Sequence, residues 1–180
     1  MPDVASLDSE YARDARWRLG FYVLAACMIA LDQGSKYLAS THLEYARPHP
    51  VFSWFNLTLH HNEGAAFSFL STAGGWQRWF FAVLAVAVSA GLVWWIRELR
   101  RGQTMIALGL ALVLGGALGN LVDRLLLGYV VDFISVHYQG WYFPTFNIAD
   151  SSISVGAALI VLDAIIGDRH GNDARGTQES

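Results

Sequence analysis

Asp132 and Asp150 bracket a short segment rich in aromatic and β-branched residues, and both stand in apolar company. Asp132 lies among Val130, Val131, Phe133 and Ile134; Asp150 opens a long apolar run. Two carboxylates sharing a partly dehydrated site cannot both ionise easily, so one pKa rises, the other falls, and the pair titrates as a unit. At neutral pH such a pair supplies one base and one acid. The base takes a proton from water as that water attacks a peptide carbonyl; the acid protonates the carbonyl oxygen and then assists the leaving amine. No metal, cofactor or covalent intermediate is required. Rival nucleophiles are poor: Cys27 lies inside an apolar stretch, and the chain has neither a GxSxG elbow nor an HExxH zinc motif. The plain alternative for Asp150 is a helix cap, since a carboxylate in a first turn gains from the helix dipole.

More polar residues recur at helical spacing. Asp32 and Lys36 are four apart and share a helix face; Asn120, Asp123 and Arg124 do the same at i, i+3 and i+4. Asn62 and Glu63 form one further polar step, and Asn147 precedes Asp150. Each has a structural reading as well. Asp32 with Lys36 reads equally as a structural ion pair, and Asp123 with Arg124 as a packing device. The asparagines can simply hydrogen-bond between helices. His60 and His61 are adjacent on a predicted strand and point to opposite faces, so no metal site is expected from them. Asp163, deep in the last apolar run, has no assigned role.

The elements that must position these residues are membrane helices. Of 180 residues, 54% are hydrophobic and 15% charged, against roughly 25% charged in an ordinary soluble domain. A bilayer core takes about 20 mostly apolar helical residues to cross. Four stretches are read as spans: 19–38, 79–96, 105–122 and 148–166. Arg13, Arg16 and Arg18, then Arg97, Arg100 and Arg101, then Arg169 and Arg175 all fall on one side of such a topology. That side is assigned to the cytoplasm, with both termini inside. Residues 1–17 form a cytoplasmic arm, 18–167 the membrane domain, and 168–180 a polar tail expected to be disordered. The outer segments are 39–78 and 123–147. Phe55–His61 alternates apolar and polar residues as a half-buried strand does, and Tyr129–Val136 reads as a second strand. Glu63–Leu70 suits a short interfacial helix. On this topology every polar residue named above except Asp163 gathers at the outer face, in one pocket lined by the first, third and fourth spans.

The net charge of −3 gives no nucleic-acid footprint, and a single cysteine allows no internal disulfide. Leu24-Ala25-Ala26-Cys27 reads superficially as a lipidation site, but the apolar run continues through Leu31, so Cys27 is expected as a buried residue of the first span.

The runs Leu31-Asp32-Gln33-Gly34-Ser35-Lys36, His61-Asn62-Glu63-Gly64-Ala65-Ala66-Phe67-Ser68 and Gly116-Ala117-Leu118-Gly119-Asn120-Leu121-Val122-Asp123-Arg124 resemble the lipoprotein signal peptidase family, also called signal peptidase II. Val131-Asp132-Phe133 and Phe146-Asn147-Ile148-Ala149-Asp150-Ser151 complete the resemblance, which covers residues 31–163. It implies a four-transmembrane-helix bundle, a small extracytoplasmic β-cradle and a short surface helix closing over the site. It implies an aspartic endopeptidase of the bacterial inner membrane that cuts prolipoproteins just before a diacylglyceryl-modified cysteine. Membrane lipids are the other partner, and a monomer is expected. By motif position Asp132 and Asp150 are the catalytic pair. Asn62, Asn120, Arg124 and Asn147 hold the substrate backbone or orient the pair. Asp32, Lys36, Gly64 and Asp123 support that shell. The residues alone leave rivals open: a small proton- or ion-coupled transporter, a membrane scaffold, or an Mg²⁺-dependent lipid-modifying enzyme.

Overall fold

A computed structural model describes residues 4–64 and 76–176. In chain order the elements are α1 (Val4–His42), β1 (His49–Phe52), β2 (Phe55–Asn62), α2 (Trp76–Glu98), α3 (Thr104–Leu126), β3 (Val130–Tyr138), β4 (Trp141–Tyr142) and α4 (Ile148–Gly176). The molecule is mostly helical, with one small antiparallel sheet in the order β1-β2-β3-β4.

Among the described residues three helices are long and apolar enough to cross a membrane: α2, α3 and the stretch Ile148–Ile166 of α4. Their apolar side chains point outward as well as inward. Trp79, Phe80, Val83, Val86 and Trp94 of α2 are exposed, as are Val155, Val161 and Ile165 of α4. A helix that is hydrophobic all round belongs in a core or in lipid, and these faces have no protein against them.

Helix α3 sits at the centre and packs against the other three. Glycine permits the approach. A Cβ on Gly109 would lie 2.7 Å from the carbonyl oxygen of Gly156, and one on Gly156 would lie 2.6 Å from that of Gly109. The backbones of α3 and α4 therefore touch, as small residues allow in membrane bundles. One half of the bundle is a conventional apolar core built on Phe21, Ala25, Leu92, Ile96, Ala107, Leu110 and Leu114. At that same end the basic segments meet. Arg101 pairs with Asp14 at 3.0 Å and donates to the Arg13 carbonyl, while Arg18 donates to the carbonyl of Arg97. The sheet lies at the other end.

Four details differ from the sequence reading. Helix α1 begins at Val4, so most of the expected arm is helical. Helix α4 runs on through Gly176, where a disordered tail was expected; glycines follow its apolar stretch but no proline does, so the backbone hydrogen bonding can continue. Cys27 is exposed rather than buried, because α1 turns Ala25 and Met28, not Cys27, toward Gly115 of α3. Strands β1 and β4 escaped notice because they are short and fully exposed, without the alternation that marks a half-buried strand. The expected surface helix falls almost entirely in 65–75, outside the described residues.

Candidate active site

The sheet end of the bundle contains a continuous polar network. Its base is Lys36, 3% exposed, clamped between Asp32 at 2.7 Å and Asp123 at 3.0 Å. Every other oxygen of these two carboxylates has a donor. Asp32 Oδ1 accepts from the Ala149 amide at 2.9 Å. Asp123 Oδ2 accepts from the Val131 amide at 3.0 Å, and its Oδ1 from Gln33 Nε2 at 2.8 Å. The triad thus ties α1 to α3, to the first turn of α4 and to the start of β3. A Cβ on Gly119 would stand 2.6 Å from Asp32 Oδ2, so only glycine leaves room for that carboxylate. Gln33, which bridges both acids, was not singled out from the sequence. Its neutral side chain carries no signal of its own, although it sits inside the Leu31–Lys36 run.

Asn120 joins this base to the acids above it. Its Oδ1 accepts from Lys36 Nζ at 2.9 Å and from Asn147 Nδ2 at 3.2 Å, which turns its Nδ2 toward Asp150 Oδ1 at 2.8 Å. An amide next to an ammonium must present oxygen to it, so Lys36 sets the orientation of Asn120.

Asn147 is fully buried and precedes α4. Its Oδ1 accepts from the Asp150 amide at 2.9 Å, while Asp150 Oδ2 accepts from the Asn147 amide at 3.2 Å. This reciprocal pair is a capping box. The helix-cap reading of Asp150 is therefore correct as far as it goes. The same Asn147 also donates Nδ2 to Asp132 Oδ1 at 2.7 Å, so one residue donates to both candidate carboxylates, with its side chain to Asp132 and its backbone amide to Asp150.

Asp132 is 2% exposed on β3. Its Oδ2 accepts from Asn62 Nδ2 at 3.1 Å, and Asn62 Oδ1 in turn accepts from the Gly64 amide at 2.9 Å. Gly64 has φ 94°, and a Cβ there would strike the Phe81 ring at 2.7 Å, so both conformation and space require glycine. Burial pushes the Asp132 carboxyl up, and the neighbouring charge of Asp150 pushes it further, to about 7. The Asn62 and Asn147 donors and the Lys36 charge oppose this and lose. Arg124 lies over the Phe81 ring at 5.2 Å and acts electrostatically on Asp150, Asp123 and Asp132.

Every polar side chain selected from the sequence for this site thus belongs to one connected cluster: Asp32, Lys36, Asn62, Asn120, Asp123, Arg124, Asp132, Asn147 and Asp150. His60 and His61 diverge, the first toward Thr145 Oγ1 at 3.0 Å, the second stacked on Tyr129 with centroids 4.0 Å apart. Asp163 is half-buried on α4, outside this cluster.

A bundle of membrane-length helices with interacting acids gathered at one end is the architecture of a membrane-embedded enzyme. The chain belongs to the signal peptidase II family: the family model described as signal peptidase (SPase) II matches residues 24–166. Among curated relatives, the lipoprotein signal peptidase of Teredinibacter turnerae is 57% identical over 151 residues, covering 84% of this chain and 90% of that protein. The lipoprotein signal peptidase of Pseudomonas aeruginosa is 48% identical over 178 residues, covering 98% of this chain and all of that protein (100%). Two solved structures, both described as a bacterial membrane enzyme, match at 33% identity. One has a TM-score of 0.71 and covers 79% of this chain and 90% of the other. The second has a TM-score of 0.72 and covers 83% and 89%.

Proposed function

We propose that this peptidase removes signal peptides from prolipoproteins at the outer face of the bacterial inner membrane, with Asp132 and Asp150 as its catalytic acids. The observation that carries the reading is the single buried Asn147 touching both carboxylates while burial and Asp150 hold Asp132 near neutrality. Asp132 keeps the proton the pair shares and donates it to the scissile carbonyl oxygen. Asp150, its oxygens aligned by Asn120 Nδ2 and the Asn147 amide, takes the proton of the attacking water. On collapse Asp132 takes back a proton from the diol hydroxyl as the carbonyl re-forms, and Asp150 gives its proton to the departing amine of the new N-terminal residue, which restores the starting state. Asn62 and Arg124 flank the pair and hold the substrate backbone.

Helix α1 serves as a fourth crossing segment. Its composition is less apolar than that of the other three, but Asp32 and Lys36 are 0% and 3% exposed. Lipid therefore meets Leu19, Val23, Leu31 and Leu38, which are exposed on its outside. Ionisable residues in spans face the bundle interior in this way. With the arginine-rich ends of α1 and the α2–α3 turn in contact at the opposite end from the acids, both termini and that turn are cytoplasmic and the acids face outward. A cut at that depth suits a substrate whose cysteine is anchored in the outer leaflet by its acyl chains.

The test is purified protein with a synthetic prolipoprotein, with and without diacylglycerol on the cysteine, in the presence of a strong chelator. Cleavage before the lipidated cysteine, undiminished by chelator, is the expected result. Chelator-sensitive cleavage, or solute or proton transport without cleavage, would reject the reading.

A further inference from the structure

A cavity of about 670 Å³ opens beside Asp132, and among the described residues none that lines it comes from the four helices. Its walls come from the α1–β1 connection (Tyr45), from the end of β2 (His60, Asn62) and Glu63 just after it, from β3 (Ser135), from β4 (Tyr142) and from the β4–α4 linker (Thr145). The pair of acids therefore has two sides. Asn120 and the first turn of α4 lie on the bundle side, whereas this cavity leads away from the bundle across the sheet. On the peptidase reading the signal peptide lies along the membrane helices, which leaves the sheet side of the acids for the chain that continues past the scissile bond.

His60 stands at the mouth of that exit. It pairs across the sheet with Asp132, in the register of β2 against β3, and lines the same cavity. Its Nδ1 is held by Thr145 Oγ1 at 3.0 Å, which pins the ring. The half-buried ring lines the same cavity as Asp132. Directly opposed positions on antiparallel strands hold side chains within reach of one another.

We propose that this cavity is the binding subsite for the first residues of the mature lipoprotein, and that the Thr145-braced His60 hydrogen-bonds that segment's backbone just beyond the cysteine. The proposal rests on the peptidase reading above and names the portion of substrate each side of the acid pair receives. His60 is a positioning residue; the chemistry stays with the two aspartates.

The experiment compares two lipidated substrates with the same signal peptide. One carries six residues after the cysteine, the other ends at the cysteine as an amide. Wild type is expected to show a higher kcat/KM on the long substrate, through KM. In His60→Ala and in Thr145→Val, the long-to-short ratio of kcat/KM is expected to fall about three- to tenfold, the worth of one net hydrogen bond. His60→Gln, which keeps a donor, is expected to restore part of it. Using the ratio removes any effect of the variants on Asp132 itself or on folding. An unchanged ratio in both variants, or a wild-type ratio of one, would overturn the subsite. Failure of wild type to cut either substrate would instead overturn the peptidase reading, and the subsite with it.

Discussion

Two pairs of aspartates lie within this one polar network, and they are chemically opposite. Asp32 and Asp123 share a buried lysine, and between them accept from two backbone amides and Gln33. Among the described residues no cation pairs directly with Asp132 or Asp150, although Arg124 acts on both from a distance; they share an asparagine, and they repel each other. All four residues are the same amino acid, and Asp32, Asp123 and Asp132 are almost equally buried. Burial alone therefore does not make a carboxylate reactive. A buried charge that is paired and hydrogen-bonded on every side becomes a fixed part of the scaffold. A buried acid next to a second acid holds a proton it can give up near neutral pH. The lower pair builds the platform, and Asn120 links it to the proposed catalytic pair above.

Substitutions should separate the two pairs cleanly. Asp132→Asn or Asp150→Asn removes one partner of the proposed catalytic pair and is expected to slow cleavage by between about a hundredfold and ten-thousandfold. Melting temperature in detergent should stay near that of wild type. Wild-type turnover by either variant would dissolve the distinction drawn above. Lys36→Met should do the reverse. It strands two buried carboxylates and is expected to lose about 3–5 kcal/mol of stability, read as a steep fall in melting temperature and in the yield of folded protein. Gly119→Ala places a methyl against Asp32 and should destabilise by about 1–3 kcal/mol; a simultaneous Asp32→Ala change should relieve the clash and expose the ion-pair loss beneath it.

The pH profile sharpens the comparison on a smaller scale. Asp132 is raised from 3.8 to about 7, so its proton is bound more tightly in the folded protein than in the unfolded chain. Its contribution to stability is complete below the ordinary value and is lost as pH rises toward and through about 7. If the protonated form is the acid in catalysis, kcat/KM should fall about tenfold per pH unit above that limb. Asp132→Asn should remove this stability trend. The smallest effect is expected at the Arg47–Glu44 pair, 2.7 Å apart but 71% exposed on both sides. Arg47→Ala should change melting temperature little or not at all, because water and salt already screen such a pair. The contrast with Lys36 isolates desolvation as the variable.

Residue type and spacing alone determined a good deal. The apolar runs placed α2, α3 and the membrane stretch of α4 to within a few residues, since twenty apolar residues in a row have few other uses. Alternation marked β2, and β-branched and aromatic content marked β3. Helical spacing put Asp32 with Lys36, and Asn120 with Asp123 and Arg124, on common faces, and the ordered motifs pointed to the family. Spacing already set Asp32 beside Lys36, and the motifs paired Asp132 with Asp150; what the chain could not say is how these pairs are wired. Only the fold brings Asp123 to the same ammonium, the Ala149 amide to Asp32, and Asn147 between Asp132 and Asp150. Gln33, the Val131 and Ala149 amides, the His60–Thr145 contact and the need for glycine at 119 are likewise invisible until α1, α3, α4 and the sheet converge. Local pattern reports which face of an element is polar, because that depends on the element's own period. Charge balance depends on neighbours distant in sequence, and packing alone brings them together.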